Sequence, residues 1–131
     1  MEKEAISRFQ EKVSESLLRH RSILDSLTKF QESAGRVNRA IAKSVTGCGC
    51  ISIAASRQVC PPEADIRTCK DYMQTHVHGH LCEHCQEILS EELGNHLIYL
   101  AALCHLLDMD LGEIFTEEYQ RLSALGLFHL S

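Results

Sequence analysis

The stretch LCEHCQEILSEELGNHLIYLAALCHLL, residues Leu81 to Leu107, decides how the rest of the chain is read. In its first half, Ile88, Leu89, Leu93 and Leu97 recur every three to four residues, which predicts an amphipathic helix with one buried face. From Leu97 to Leu107 the residues are apolar almost all round, the pattern of a helix packed on several sides. Glu91-Glu92-Leu93-Gly94-Asn95 brings carboxylates to the rim between the halves. Cys82-Glu83-His84-Cys85 opens the stretch with two closely spaced thiols, so one element carries a core helix, an acidic rim and a soft-metal half-site.

Outward from it, helices are predicted on both sides. Ile6, Phe9, Val13 and Leu17 mark one face of a helix from Glu2 to about Leu18. His20-Arg21 weakens that face. Ser22-Ile23-Leu24-Asp25 resembles a capping box with Asp in the Glu position, so the chain breaks there or runs on as one long helix. Ile23, Leu27, Phe30, Ala34, Val37 and Ile41 form a second stripe ending near Val45, where Gly47 suits a left-handed C-cap. Gly47-Cys48-Gly49-Cys50 is a permissive turn, and Ile51-Ser52-Ile53 reads as a short extended piece. Gln58 to about His80 is irregular, with a short helix around Asp65 to Met73. Asp110-Leu111-Gly112-Glu113 is a capping box for a last helix through about Ala124, with Ile114, Tyr119 and Leu122 turned inward. The reading is a single all-α domain over residues 1–131, interrupted by a Cys/His-rich insertion at about 47–82.

Composition narrows the function classes. A chain of 131 residues, 44% apolar and 24% charged, forms one core and is not wholly disordered. No run approaches the roughly 20 apolar residues of a membrane span, and the start lacks a signal-peptide core, so a cytoplasmic protein is expected. The net charge of −5 is unevenly spread: residues 1–46 hold nine Lys/Arg against six Asp/Glu, and residues 47–131 four against twelve. Without a basic stripe, nucleic acid is a poor partner. Seven cysteines, an odd number in an expected reducing compartment, favour metal binding or free thiols over a disulfide framework.

Two short-spaced pairs, Cys48-x-Cys50 and Cys82-x-x-Cys85, together supply four thiolates, the donor set of a structural zinc site. An iron–sulfur cluster on the same four is the alternative. His76, His78 and His80 fall on one side if their segment is extended, and with His84 they are further candidate ligands, His80 or His84 first. The competing reading is a polar loop that happens to be rich in histidine. Cys60 and Cys69 are expected as ligands or free thiols. Cys104, on an apolar helix face, is expected in the core, and His20, His96 and His105 in surface or packing roles.

Two blocks resemble a known family. Glu91-Glu92-Leu93-Gly94-Asn95 with its apolar helix, followed by Leu106-Leu107-Asp108-Met109-Asp110-Leu111-Gly112-Glu113, is similar to the second half of the MazG-type nucleotide pyrophosphohydrolases. Leu27 to Val37, with Glu32-Ser33-Ala34-Gly35-Arg36 at its centre, resembles their first motif. The resemblance implies helical hairpins forming a four-helix bundle completed by dimerisation, a homodimer or tetramer. It also implies hydrolysis of a nucleoside triphosphate to monophosphate and pyrophosphate, with Mg²⁺ held by acidic EExxE and ExxD motifs. This chain departs from those motifs. Glu32 and Glu92 match, whereas Ser33, Arg36 and Asn95 stand where carboxylates are expected, and Glu91 lies about 100° round the helix from Glu92. Asn95 still offers a carbonyl to Mg²⁺, but Arg36 places a cation where the metal belongs. The function expected from the resemblance is a MazG-like nucleotide-binding protein, a weak or inactive hydrolase, with Arg36 able to grip a phosphate directly. The alternative is a non-catalytic helical scaffold for a Cys/His metal site. A thiol-redox role for Cys82-Glu83-His84-Cys85 is a distant third.

Overall fold

The structure is a computed structural model and describes residues 2–17 and 22–126. Its regular elements are α1 (Glu2–Ser16), α2 (Ile23–Lys43), β1 (Ile51–Ile53), α3 (Ile66–Cys69), β2 (Val77–Gly79), α4 (Glu83–Leu106) and α5 (Leu111–Leu125). The chain is thus mostly helical, as read from its periodicity, with one small sheet added. The weak point at His20-Arg21 lies outside the described residues. Ser22 does cap α2, its side chain accepting from the Leu24 N–H at 3.3 Å.

α4 packs along α2, and both α4 and α5 pack on α1. The α2–α4 pair is antiparallel: Ser33 meets His96 at 2.8 Å, while past the end of α2 Ser44 lines a hollow together with Cys85 from the start of α4. The apolar core sits where α1 crosses the second half of α4. Val13 and Leu17 bury against Ala101 and Ala102, which are both 0% exposed, and Ile98 and Leu111 close around them. Alanines at that crossing let the two backbones approach closely.

α2 buries a face turned from its predicted apolar stripe, which keeps Ile23, Phe30 and Val37 half-buried but leaves Leu27, Ala34 and Ile41 outside. Leu27 and Ile41 are exposed, while Ser26, Ser33 and Ser44 are buried, with Phe30, Val37 and Ala40 half-buried on the same face. Small hydroxyl side chains fit here because they return their hydrogen bond to their own helix. Ser33 Oγ donates to the Phe30 carbonyl at 2.9 Å, and Ser44 Oγ to that of Ala40 at 3.0 Å. The same rotation holds on α4: Ile88, Leu93 and Leu97, expected inside, are 41–51% exposed. On α5, Ile114 is half-buried, but Tyr119 and Leu122 face solvent.

A polar clamp fixes α1 to the α4–α5 turn. The Gln10 side chain donates to the Met109 carbonyl and accepts from the Leu111 N–H, both at 2.7 Å. Asp110 caps α5 through the Gly112 N–H and also accepts from Ser7 Oγ, each at 2.9 Å. Gly112 is required at this contact, because a Cβ there would stand 2.6 Å from the Lys3 carbonyl.

The insertion is more ordered than its composition predicts. β1 and β2 pair antiparallel, Ile51 opposite Gly79 and Ile53 opposite Val77. The short helix is present as α3 with a following 3-10 turn, Lys70–Tyr72, and Asp65 caps it in a box with Thr68. Cys60 and Cys69 form a disulfide, correcting the expectation of ligands or free thiols. They stand nine positions apart in the chain, so the cross-link ties the proline-containing loop to α3. Among the described residues, no helix is long and apolar enough to cross a membrane.

Candidate metal centre

Past Lys43, α2 widens into a π-turn, Ser44–Cys48, which closes on Gly49 in the left-handed conformation (φ 80°). Gly49, rather than the expected Gly47, is the residue that needs this conformation, and its N–H bonds the Ser44 carbonyl at 2.9 Å. The turn presents Cys48, and β1 begins immediately after Cys50. The hairpin returns through Gly79 (φ 86°), whose missing Cβ leaves room for the Cys50 carbonyl; a methyl would lie 2.6 Å from that oxygen. Three residues later Cys82 caps α4, its sulfur accepting from the Cys85 N–H at 3.4 Å. Cys85, in the first turn of α4, is buried.

Four sulfurs from three elements thereby converge. The Sγ atoms of Cys48, Cys50, Cys82 and Cys85 all lie within 4.8 Å of one another, with Cys48 and Cys82 at 3.8 Å. Zinc–sulfur bonds of about 2.3 Å in a tetrahedron put their sulfurs about 3.8 Å apart, so this set fits one ion with little adjustment. The electrostatics point the same way. The Cys85 N–H, followed by the Cys85 side chain, brings the Cys82 thiol down to about 7. Cys85 itself, although a hydrogen bond with Ser44 pulls it down, is pushed up to about 12 by the Cys82 sulfur and by burial. The hydrogen bond with Cys82 likewise raises Cys48. One thiolate forms readily at the helix N-terminus, and its sulfur makes Cys48 and Cys85 hold their protons. A cation among the four removes that conflict.

The histidines stand apart from the sulfur group. His76 has a left-handed backbone (φ 62°), which breaks the extended alternation expected for His76, His78 and His80. Its Nε2 accepts from the Ser56 N–H at 3.4 Å. His78 and His80 are exposed. His84 comes nearest, lining a hollow of about 250 Å³ together with Cys48 and Cys85. Cys104 is buried in the core, as expected.

The residues singled out by the MazG resemblance also gather, in two adjoining hollows between α2 and α4. Glu32, Ser33, Arg36 and Asn95 line one of about 120 Å³, together with Lys29 and Tyr99. Arg36 and Glu92 line the next, of about 380 Å³, with Arg39, Ala40, Lys43 and Ile88. Glu91 is exposed and lines neither. The chemistry inside them differs from a ring of metal-binding carboxylates. Glu32 is held by Lys29 at 3.3 Å and Arg36 at 3.2 Å, which keep its carboxyl below the usual range, Lys29 foremost. Ser33 is occupied by its bonds to Phe30 and His96, and the His96 ring stacks on Phe30 with centroids 4.6 Å apart. Glu92 Oε2 is buried without a hydrogen-bond partner.

Sequence reasoning missed Lys29, Arg39, Lys43 and Tyr99 in these hollows, while His96 takes the packing role expected of it. The signal was present for the cations: Arg36, Arg39 and Lys43 are spaced three and four apart, the spacing of helical neighbours. Compared with family models, with curated proteins and with solved structures, the chain matches none.

Proposed function

We propose that this protein is a helical scaffold built around one mononuclear tetrathiolate metal centre, with zinc as the resident ion and Cys48, Cys50, Cys82 and Cys85 as its ligands. The observation that carries this reading is the mutual approach of the four sulfurs within 4.8 Å. That separation suits one tetrahedral ion better than an iron–sulfur cluster, whose several irons hold their terminal thiolates farther apart. The ion ties the end of α2 to the start of α4 and closes the hairpin between them. Its role is to stabilise an insertion in which only Ile51 is a buried apolar residue. Elemental analysis of untagged protein, with an absorbance spectrum, tests this: one zinc per chain and no visible band are expected. Less than one metal ion per two chains would remove the reading, and a strong visible band would replace zinc by iron.

A second reading, that the α2–α4 pair is a divergent MazG-like nucleotide site, is favoured by the grouping of Glu32, Ser33, Arg36, Asn95 and Glu92 along one groove. In it, the helical hairpin pairs with a second copy to complete a four-helix bundle, as a homodimer or tetramer. Exposed Leu27 and Ile41 on α2 and Leu93 and Leu97 on α4 supply the apolar surface for that pairing. Mg²⁺ would be held by Glu32, Glu92 and Asn95, with hydrolysis weak or absent because Arg36 and Ser33 replace carboxylates. Incubation with nucleoside triphosphates and Mg²⁺ tests it. Saturable, Mg²⁺-dependent nucleotide binding with little pyrophosphate release is expected, and no binding of any nucleotide would sink it.

A further inference from the structure

Between the metal centre and the Glu32 hollow, α2 presents Arg36, Arg39 and Lys43 toward α4. All three line the hollow of about 380 Å³, with Glu92 and Ile88 opposite them. Arg36 is paired with Glu32, but neither Arg39 nor Lys43 makes an ion pair among the described residues. With Arg36 balanced by Glu32, Arg39 and Lys43 face the single carboxylate of Glu92, which leaves this hollow positive on a chain whose net charge is −5. Such a site concentrates anions and repels divalent cations. Guanidinium groups match phosphate oxygens in geometry as well as charge.

Glu92 adds a second requirement. Its carboxylate lines the hollow, where it can accept from a ligand's donor, while its Oε2 is buried with no hydrogen-bond partner among the described residues. A bare anion brings no such donor and is repelled by the carboxylate. Ala40, Lys43 and Ile88 also line the neighbouring hollow of about 250 Å³, so the two form one trough with an apolar floor beyond its basic end.

We propose that this trough binds a phosphate ester directly, without a divalent cation. The phosphate lies on Arg36, Arg39 and Lys43, a hydroxyl or amine of the ester donates to the Glu92 carboxylate, and the organic body runs over Ala40 and Ile88. The proposal rests on the second reading above in taking the α2–α4 groove as the ligand site. It differs in dispensing with Mg²⁺ and in depending on Arg39 and Lys43.

The test is calorimetric titration of the full chain, zinc-loaded, with ADP, inorganic pyrophosphate and adenosine as probes and no added divalent cation. ADP is expected to bind more tightly than pyrophosphate, adenosine not at all, and added salt should weaken binding. The double variant Arg39→Ala/Lys43→Ala should lose about tenfold or more in ADP affinity. Glu92→Gln should narrow the preference for ADP over pyrophosphate. An unchanged melting temperature and zinc content in each variant show that the fold is kept. Absence of saturable ADP binding up to about 1 mM, or a double variant within about twofold of the parent, overturns the proposal. ADP binding that appears only with Mg²⁺ and ignores Arg39 and Lys43 overturns it while sustaining the second reading. No binding under either condition overturns both.

Discussion

At the scale of single residues, Cys82 and Cys85 show how position sets reactivity for one side-chain type. Cys82 sits at a helix N-terminus with an N–H aimed at its sulfur, and its thiol falls to about 7. Cys85, three residues on, holds its proton to about 12. A thiol with a lowered value is ionised above it, so in metal-free protein Cys82 alkylation should rise through about pH 7 and reach its plateau first. Cys85, buried and with its thiol pushed up to about 12, should react well after Cys82. Peptide mass spectrometry across a pH series checks the order, and uniform labelling would contradict the assignment. In the metal-loaded protein all four should be protected, because the ion and the alkylating reagent need the same lone pairs. Cys82→Ser should abolish stoichiometric zinc and lower the melting temperature by about 5 °C or more, read by elemental analysis and thermal unfolding.

At the scale of elements, the turns decide where the cysteines arrive. Gly79→Ala places a methyl 2.6 Å from the Cys50 carbonyl at a residue with φ 86°. It should shift β1 and speed zinc loss to a chelator about tenfold, with the helical signal in circular dichroism nearly unchanged. Zinc retained at the parental rate would show that the hairpin does not position Cys50. At the other end of α4, Asp110 caps α5 and is held low chiefly by the Ser7 hydroxyl, then by the Gly112 N–H. A carboxyl with a lowered folded value stabilises the protein above its ordinary value near 3.8, and that stability is lost as pH falls through the folded value. Asp110→Ala should therefore cost about 1 kcal/mol at neutral pH and a smaller difference in acid, measured by denaturant unfolding at both. Helix positions were legible in the sequence because apolar residues recur at helical spacing. Helix rotations were not, because the Ser33 and Ser44 hydroxyls bond carbonyls one turn back, which lets serines take buried positions that hydropathy alone assigns to apolar residues.

At the scale of the whole molecule, the described chain has a small apolar core and leaves Leu27, Ile41, Leu93 and Leu97 facing solvent. A second copy covering them is the proposed remedy, and sedimentation should give a dimer or tetramer. Leu93→Lys/Leu97→Lys should shift it to monomer; a parent that is already monomeric at high concentration removes the pairing. The sequence by itself determined the helical composition, the two cysteine pairs and the order of the blocks, because periodicity, capping and ligand spacing are local properties. Only the tertiary structure decided that Cys48, Cys50, Cys82 and Cys85 converge with no histidine among them, that Cys60 and Cys69 join each other, and that Arg39 and Lys43 line one hollow with Glu92. Those outcomes depend on distances between segments remote in the chain, which the antiparallel packing of α2 on α4 and the hairpin between them set.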